Sequence, residues 1–159
     1  MIDALRRRLG SRLENVRALV WVGGSGAGGD PRQPLFVEFR FDGSPPLRGA
    51  GSSDGASIGL SEVGPLTRIE LDDGAALDPV DATAAAGLRD VLGRRLDAAI
   101  VYEVPSTGSC VAMQLVVEGG ASVALWTDGC DELHLARVVP IEELEALAPI
   151  RSTRVNDRS

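Results

Sequence analysis

Residues 88–97 have the sequence LRDVLGRRLD, and residues 5–14 have the sequence LRRRLGSRLE. With an offset of 83 residues, three leucines, a glycine and two arginines coincide, and an acidic residue follows in each stretch. Self-similarity at a fixed offset is typical of a duplicated structural unit. The two stretches therefore decide how the rest of the chain is interpreted.

The similarity continues downstream in the same order. Residues 35–41 and 111–117 both alternate apolar and polar side chains, and each run ends in an acid-glycine turn. A Ser-Asp-Gly at 53–55 corresponds to a Thr-Asp-Gly at 127–129, and an apolar pattern and a proline then follow in both halves. Because the offset changes only at loops, the sequence predicts an internal duplication.

Each repeat is predicted to begin with a short amphipathic helix that ends at a glycine, at Gly10 or Gly93. An extended segment follows, at 13–22 in the first copy and 96–104 in the second. Three short strands then follow, joined by Asp-Gly and Glu-Gly pairs, which are strong hairpin signals.

The second copy predicts strands near 110–118, 121–127 and 131–138, and a helix that begins at Pro140. The expected fold class is α+β, with two pseudo-symmetric helix-plus-meander repeats packed together. The predicted boundaries are 1–71 for the first repeat, 72–82 for a linker, 83–149 for the second repeat and 150–159 for a polar tail that frays.

Composition narrows the class of protein. The chain has 159 residues, 44% of them hydrophobic, and sixteen basic against twenty-three acidic residues give a net charge of -7. This balance argues against nucleic-acid binding, which requires clustered positive charge. No apolar run approaches the ~20 residues of a membrane span, and the first residues lack a signal-peptide core. We expect a cytoplasmic protein with two free, reduced cysteines, Cys110 and Cys130.

The acidic charge is concentrated in one part of the chain. Residues 97–145 contain nine acids and a single arginine, Arg137. A surface that carries charge of one sign can serve as a docking face for a basic protein. It can equally be a solvated surface without a partner.

Candidate partner-binding residues lie within this acidic part. They are Glu103, Trp126, Asp128, Asp131, Glu132 and His134. An aromatic among acids is typical of an interface anchor, although burial of Trp126 in the core is the alternative. Glu132 and His134 are expected to share one face of a strand, where a polar residue on the exposed face is the simpler interpretation of His134.

The sequence predicts no catalytic residue, metal site or cofactor. The glycine-rich segment 23–29 lacks the lysine of a phosphate-binding loop. Cys110 and the serines before it are candidate nucleophiles, but a nucleophile needs a base beside it. The only imidazole in the sequence that could act as this base is His134. With one histidine, a zinc site would have to recruit carboxylates.

Residues 93–96 provide a Gly-x-x-Leu strand entry, an alternating strand ends in Glu-Gly, and residues 128–135 are DGCDELHL. This pattern resembles small bacterial domains, several of which are grouped with the immunity proteins of toxin systems. The resemblance covers 88–138 well and 5–63 loosely, and the first copy departs from it at Gly59, which replaces His134. It implies a cytosolic inhibitor that binds a cognate toxin and is not an enzyme.

The leading hypothesis is a non-enzymatic binding protein, an immunity protein whose acidic second repeat covers a basic toxin surface. One alternative is a scaffold module of a larger bacterial assembly. Another is a small-molecule-binding or hydrolytic enzyme with a cleft between the repeats.

Overall fold

The protein is mainly β, with two antiparallel sheets. The computed structural model describes residues 1–23, 28–130 and 132–156. Within these residues the only α-helices are α1 (Ile2–Arg6) and α2 (Ile141–Leu147), of five and seven residues. The predicted α+β class is therefore wrong, because helices supply too little of the structure to form a layer of their own.

Six antiparallel strands from the first half of the chain form the first sheet. They are β1 (Leu13–Val22), β2 (Phe36–Phe41), β3 (Leu47–Gly51), β4 (Ile58–Glu62), β5 (Ile69–Glu70) and β6 (Ala76–Asp81). Their order across the sheet is β4-β3-β2-β1-β6-β5.

Five antiparallel strands from the second half form the second sheet. They are β7 (Leu96–Val104), β8 (Ser109–Val117), β9 (Ser122–Thr127), β10 (Leu133–Ala136) and β11 (Arg151–Asn156). Their order is β10-β9-β8-β7-β11. In both sheets four consecutive strands form a meander, and a later strand returns to the open side of the first one. The extended segments predicted at 13–22 and 96–104 are confirmed as β1 and β7.

The predicted helix before Gly93 is a series of turns. Ala86 N–H donates to the carbonyl of Ala82, but the chain reaches Gly87 at φ +67° and changes direction. A left-handed residue ends a helical turn. The turns direct Leu88 and Val91 into the core, where both are fully buried.

The intervals expected as linker and tail both contain strands. β6 lies within 72–82 and pairs with β1 over six residues, and β11 lies within 150–159 and pairs with β7 over six residues. The tail therefore does not fray at 151–156; residues 157–159 lie outside the described part. Without these strands, β1 and β7 would expose unpaired backbone groups along one edge. The repeat boundaries stay a prediction.

One hydrophobic core joins the two sheets. Phe39 and Leu47 from the first sheet and Met113 and Leu125 from the second belong to the same buried cluster. Gly49 on β3 lies directly under Leu125, so that a Cβ at this position would collide with the leucine side chain. The close approach at Gly49 sets the spacing between the sheets at this point.

Helix α2 covers the outer face of the second sheet. Leu144 of the helix packs with Tyr102, Ala112 and Ala124 in a second buried cluster. The helix begins directly after Pro140, as predicted, and carries acids in its first turn. The second sheet therefore has apolar contacts on both faces, with the first sheet on its inner face and with α2 on its outer face.

Candidate functional site

A row of paired residues crosses the outer face of the second sheet. His134 on β10 pairs with Trp126 on β9, which pairs with Ala112 on β8, which pairs with Tyr102 on β7. The His134 ring stacks on the Trp126 indole, with ring centroids 5.1 Å apart and an interplanar angle of 17°. Trp126 is partly buried and packs against the second buried cluster, so it contributes to packing and remains partly accessible.

The turn between β9 and β10 places two carboxylates beside the His134 ring. Nε2 of His134 lies 3.3 Å from Oδ2 of Asp128 and 4.0 Å from Oε2 of Glu132. The Cys130 N–H donates to Oδ1 of Asp128 at 2.9 Å. This hydrogen bond, followed by the interaction with His134, holds the pKa of Asp128 below its ordinary value.

Four of the six predicted partner-binding residues are therefore brought together: Trp126, Asp128, Glu132 and His134. Asp131 lies outside the described residues. Glu103 is separated from these four, because it lies on β7, two strands away from β9, and it forms an ion pair with Arg151 of β11 at 3.4 Å. The pattern of acids alone did not separate Glu103 from the others, since the strand order decides which acids are neighbours.

An apolar cavity of about 390 Å³ opens beside this cluster. The side chains that define it are Val104, Val111, Leu144, Leu147 and Ile150, with Asp128 at its polar edge. A β-bulge presents Val111, because the pairing of β7 with β8 shifts register at this residue. Sequence analysis missed these residues. Val111 and Leu144 lie far apart in the chain, and no local signal in the sequence places them together; Leu147 is 65% exposed at the cavity.

Helix α2, which lines the cavity with Leu144 and Leu147, also carries three acids. Glu142, Glu143 and Glu145 are all exposed. Among the described residues, Arg151 on β11 pairs with Glu103, and Arg32, whose carbonyl accepts the Leu135 N–H, pairs with Asp30. The acidic face is here defined as Asp128, Glu132, Glu142, Glu143 and Glu145.

Cys110 is placed away from solvent. Its thiol donates to the Ala112 carbonyl at 3.3 Å, and burial raises its pKa to about 12. A nucleophilic cysteine requires the thiolate, so Cys110 is protonated and inert at neutral pH. Both cysteines are free, and Cys130 is exposed. Of the glycine-rich segment considered for phosphate binding, residues 24–27 lie outside the described part of the chain.

A buried carboxylate on the first sheet also escaped sequence analysis. Glu38 on β2 is 1% exposed; it accepts the Leu66 N–H at 2.6 Å and pairs with Arg40 at 2.8 Å. Arg17 on β1 lies 3.7 Å away. This arrangement fixes the segment that follows β4 onto the outer face of the first sheet, which is a structural role.

Comparison with known protein families, curated proteins and solved structures gave no match. None of the described helices is long and apolar enough to span a membrane. The acidic face and the cavity are therefore the features of the molecule that bear on its function.

Proposed function

We propose that this protein binds a basic protein partner on its acidic face and neutralises it, in the manner of an immunity protein. One observation carries the proposal: the apolar cavity lies between the two elements that supply the acids. The β9–β10 turn carries Asp128 and Glu132 on one side, and α2 carries the three glutamates on the other.

This combination suits a protein interface. Uncompensated acids of one sign attract a basic surface over a long range and select against acidic partners. An apolar pocket in the centre of such a surface accepts an anchoring side chain, and anchors of this type supply most of the binding energy. The exposed apolar residues Ile141 and Leu147 of α2 extend the contact area around the pocket.

The mode of action requires no bond to be formed or broken in the partner. An apolar side chain of the partner would enter the cavity against Leu144 and Val111, while arginine or lysine residues around it face the carboxylates. The bound protein would then cover the partner's basic surface. The inhibitor would act by occlusion and charge neutralisation.

The test is a capture experiment with lysate of the source organism, followed by affinity measurement on the captured protein. We expect a stoichiometric basic protein that is retained at low salt and released at high salt, because exposed charges are screened. The triple variant Glu142→Gln, Glu143→Gln, Glu145→Gln should reduce the association rate of the purified partner by about tenfold.

A matched control has the same change in net charge at another place. Asp3→Asn, Glu14→Gln and Asp72→Asn remove three exposed acids of the first half of the chain. We expect this control to bind the partner nearly as well as the wild type. Equal effects of both triple variants, or a partner without basic character, would contradict the proposal.

A small apolar ligand is the second candidate, since about 390 Å³ is a volume in the range of ligand pockets. A fluorescent apolar probe that binds the wild type and is lost in Leu144→Trp, which fills the cavity, would support it. If the probe binds while capture yields no basic protein, the ligand hypothesis replaces the protein-partner hypothesis.

A further inference from the structure

We propose that Asp128, Glu132 and His134 form a binding site for a divalent cation of the zinc type. The three residues come from a single turn and the strand that follows it, so that closing the β9–β10 hairpin is sufficient to bring them together. One ligand atom from each of the three lies within 4.8 Å of the other two.

The distances agree with a shared ion. Nε2 of His134 is 3.3 Å from Oδ2 of Asp128 and 4.0 Å from Oε2 of Glu132. Ligand atoms about 2.1 Å from a tetrahedral zinc ion are about 3.4 Å from each other. A cation between the three atoms would therefore require only small side-chain rotations, mainly of Glu132, whose side chain is 59% exposed.

Two of the ligands are already held in place. The Trp126 indole stacks on the imidazole and fixes its plane. The Cys130 N–H occupies Oδ1 of Asp128 and leaves Oδ2 directed at His134. Outer contacts of this kind orient metal ligands and raise the affinity of natural metal sites.

The chemistry of the donor set selects the class of metal. One imidazole nitrogen and two carboxylate oxygens suit zinc, nickel or copper, whereas magnesium and calcium prefer all-oxygen sites with more ligands. The partial exposure of Asp128 and Glu132 leaves room for water as a further ligand. Binding would fasten the two ends of the β9–β10 turn to each other, which would stabilise this hairpin.

The test uses the full-length, tag-free protein and zinc chloride, with calorimetric titration and thermal unfolding as readouts. We expect one equivalent of zinc per chain and a rise in Tm with zinc concentration, because a ligand that binds the folded state stabilises it. Magnesium chloride should produce neither heat nor a Tm shift. Absence of binding with excess zinc would overturn the proposal.

Variants assign the binding to the three ligands. His134→Phe keeps an aromatic ring against Trp126 but has no donor nitrogen, so we expect at least a tenfold loss of zinc affinity with the fold retained. Glu132→Gln should weaken binding, whereas Glu118→Gln, an exposed acid in the β8–β9 turn, should not. Cys130→Ser should bind as the wild type does. Retained affinity in His134→Phe, or lost affinity in Cys130→Ser, would mean that other residues bind the ion.

Tryptophan fluorescence locates the bound metal ion independently of the ligand variants. In a Trp21→Phe background, Trp126 is the only tryptophan of the chain. Nickel or copper bound at His134 should quench its emission, and His134→Phe should abolish the quenching. Emission that is unchanged at saturating nickel would contradict the site.

This site goes beyond the proposed function and is tested without a partner protein. The glutamates of α2 are unchanged in every variant above, and the metal-site residues are unchanged in the α2 triple variant. Failure of one proposal therefore leaves the other intact.

Discussion

Arg12 and Arg95 form a reciprocal pair that joins the two sheets. Nη1 of Arg12 donates to the Gly93 carbonyl at 3.2 Å, and Nη1 of Arg95 donates to the Gly10 carbonyl at 2.9 Å. The two arginines also form an isolated antiparallel bridge with each other. Each guanidinium thus binds the glycine that lies two residues before the other arginine.

The surroundings of the pair follow the same reciprocity. The Arg12 N–H donates to the Asp42 carboxylate at 2.6 Å, and the Arg95 N–H faces the Glu118 carboxylate at 3.4 Å. The peptide N–H groups of Asp42 and Glu118 donate in turn to the carbonyls of Arg12 and Arg95. Residues that the repeat pattern aligned in sequence therefore meet at one junction in space.

We expect Arg12→Ala and Arg95→Ala to destabilise the protein by similar amounts, about 0.5–1.5 kcal/mol each, because each removes one hydrogen bond to a carbonyl. Urea unfolding measures both. Arg89→Ala, at an exposed arginine of the preceding turn, is the control and should change stability by less than about 0.5 kcal/mol. Losses that differ several-fold between the two junction variants would show that the junction is not energetically reciprocal.

Gly49 provides a test of the spacing between the sheets. Gly49→Ala places a methyl group against the fully buried Leu125 and should destabilise the protein by about 1–3 kcal/mol through overpacking. Gly59 on the neighbouring strand β4 has open space at its Cβ position. Chemical denaturation of Gly59→Ala should therefore give nearly wild-type stability. An equal loss in both variants would mean that replacing a strand glycine is destabilising in itself, without a contact to Leu125.

The two cysteines should differ in reactivity. At pH 8 a chromogenic disulfide reagent should titrate one thiol in the native protein and two after unfolding, since Cys130 is exposed and the pKa of Cys110 is raised to about 12. The folded Cys130→Ser variant should give no colour with the reagent, because its remaining thiol, Cys110, is buried. Rapid reaction of two thiols in the native state would refute the burial of Cys110.

The raised pKa of Cys110 also predicts how the stability of the protein depends on pH. A thiol whose pKa is raised on folding favours the folded state fully below its ordinary pKa of 9.0, and the contribution is lost as the pH rises toward about 12. Between pH 9 and pH 11 the unfolding midpoint of the wild type should therefore fall more steeply than that of Cys110→Ala. Parallel curves would exclude a contribution from this thiol.

Glu38 should matter for stability although it lies away from the acidic face. Glu38→Gln weakens its contacts with Arg40, Arg17 and the Leu66 N–H, and we expect a loss of about 1–3 kcal/mol in urea unfolding. Glu14→Gln, on the exposed side of β1, serves as the control. A negligible effect of Glu38→Gln would mean that the neutral amide satisfies the same partners.

Part of this architecture could be predicted from local sequence. Alternation of apolar residues located β2 and β8, the extended segments after Gly10 and Gly93 located β1 and β7, and the acid-glycine pairs located turns, because these signals depend on neighbours along the chain. The prediction of a helix before Gly93 was wrong because it used the same kind of local signal. The alanines favour a helix locally, but the chain forms turns there that bury Leu88 and Val91. Strand β11 has a mainly polar sequence and β6 contains Pro79, so neither shows a local strand signal, and both form by pairing with β7 and β1.

The candidate site divides in the same way. Asp128, Glu132 and His134 were among the six predicted partner-binding residues, because they lie in the acidic part of the chain. Glu103 was grouped with them by charge, although the strand order separates it from them. The cavity residues Val111 and Leu144 could not be found, since a bulge and the docking of α2 bring them together.

Local sequence was enough to place the turns, the longest strands, the acidic charge of the second half and the hairpin that carries His134. Each of these depends on contacts between residues close along the chain. Tertiary structure decided the class of the fold, the pairing of Arg12 with Arg95, the burial of Glu38 and the cavity beside Asp128. These features depend on which distant segments share a core, and core packing overrides local propensity because it buries far more apolar surface than any single turn.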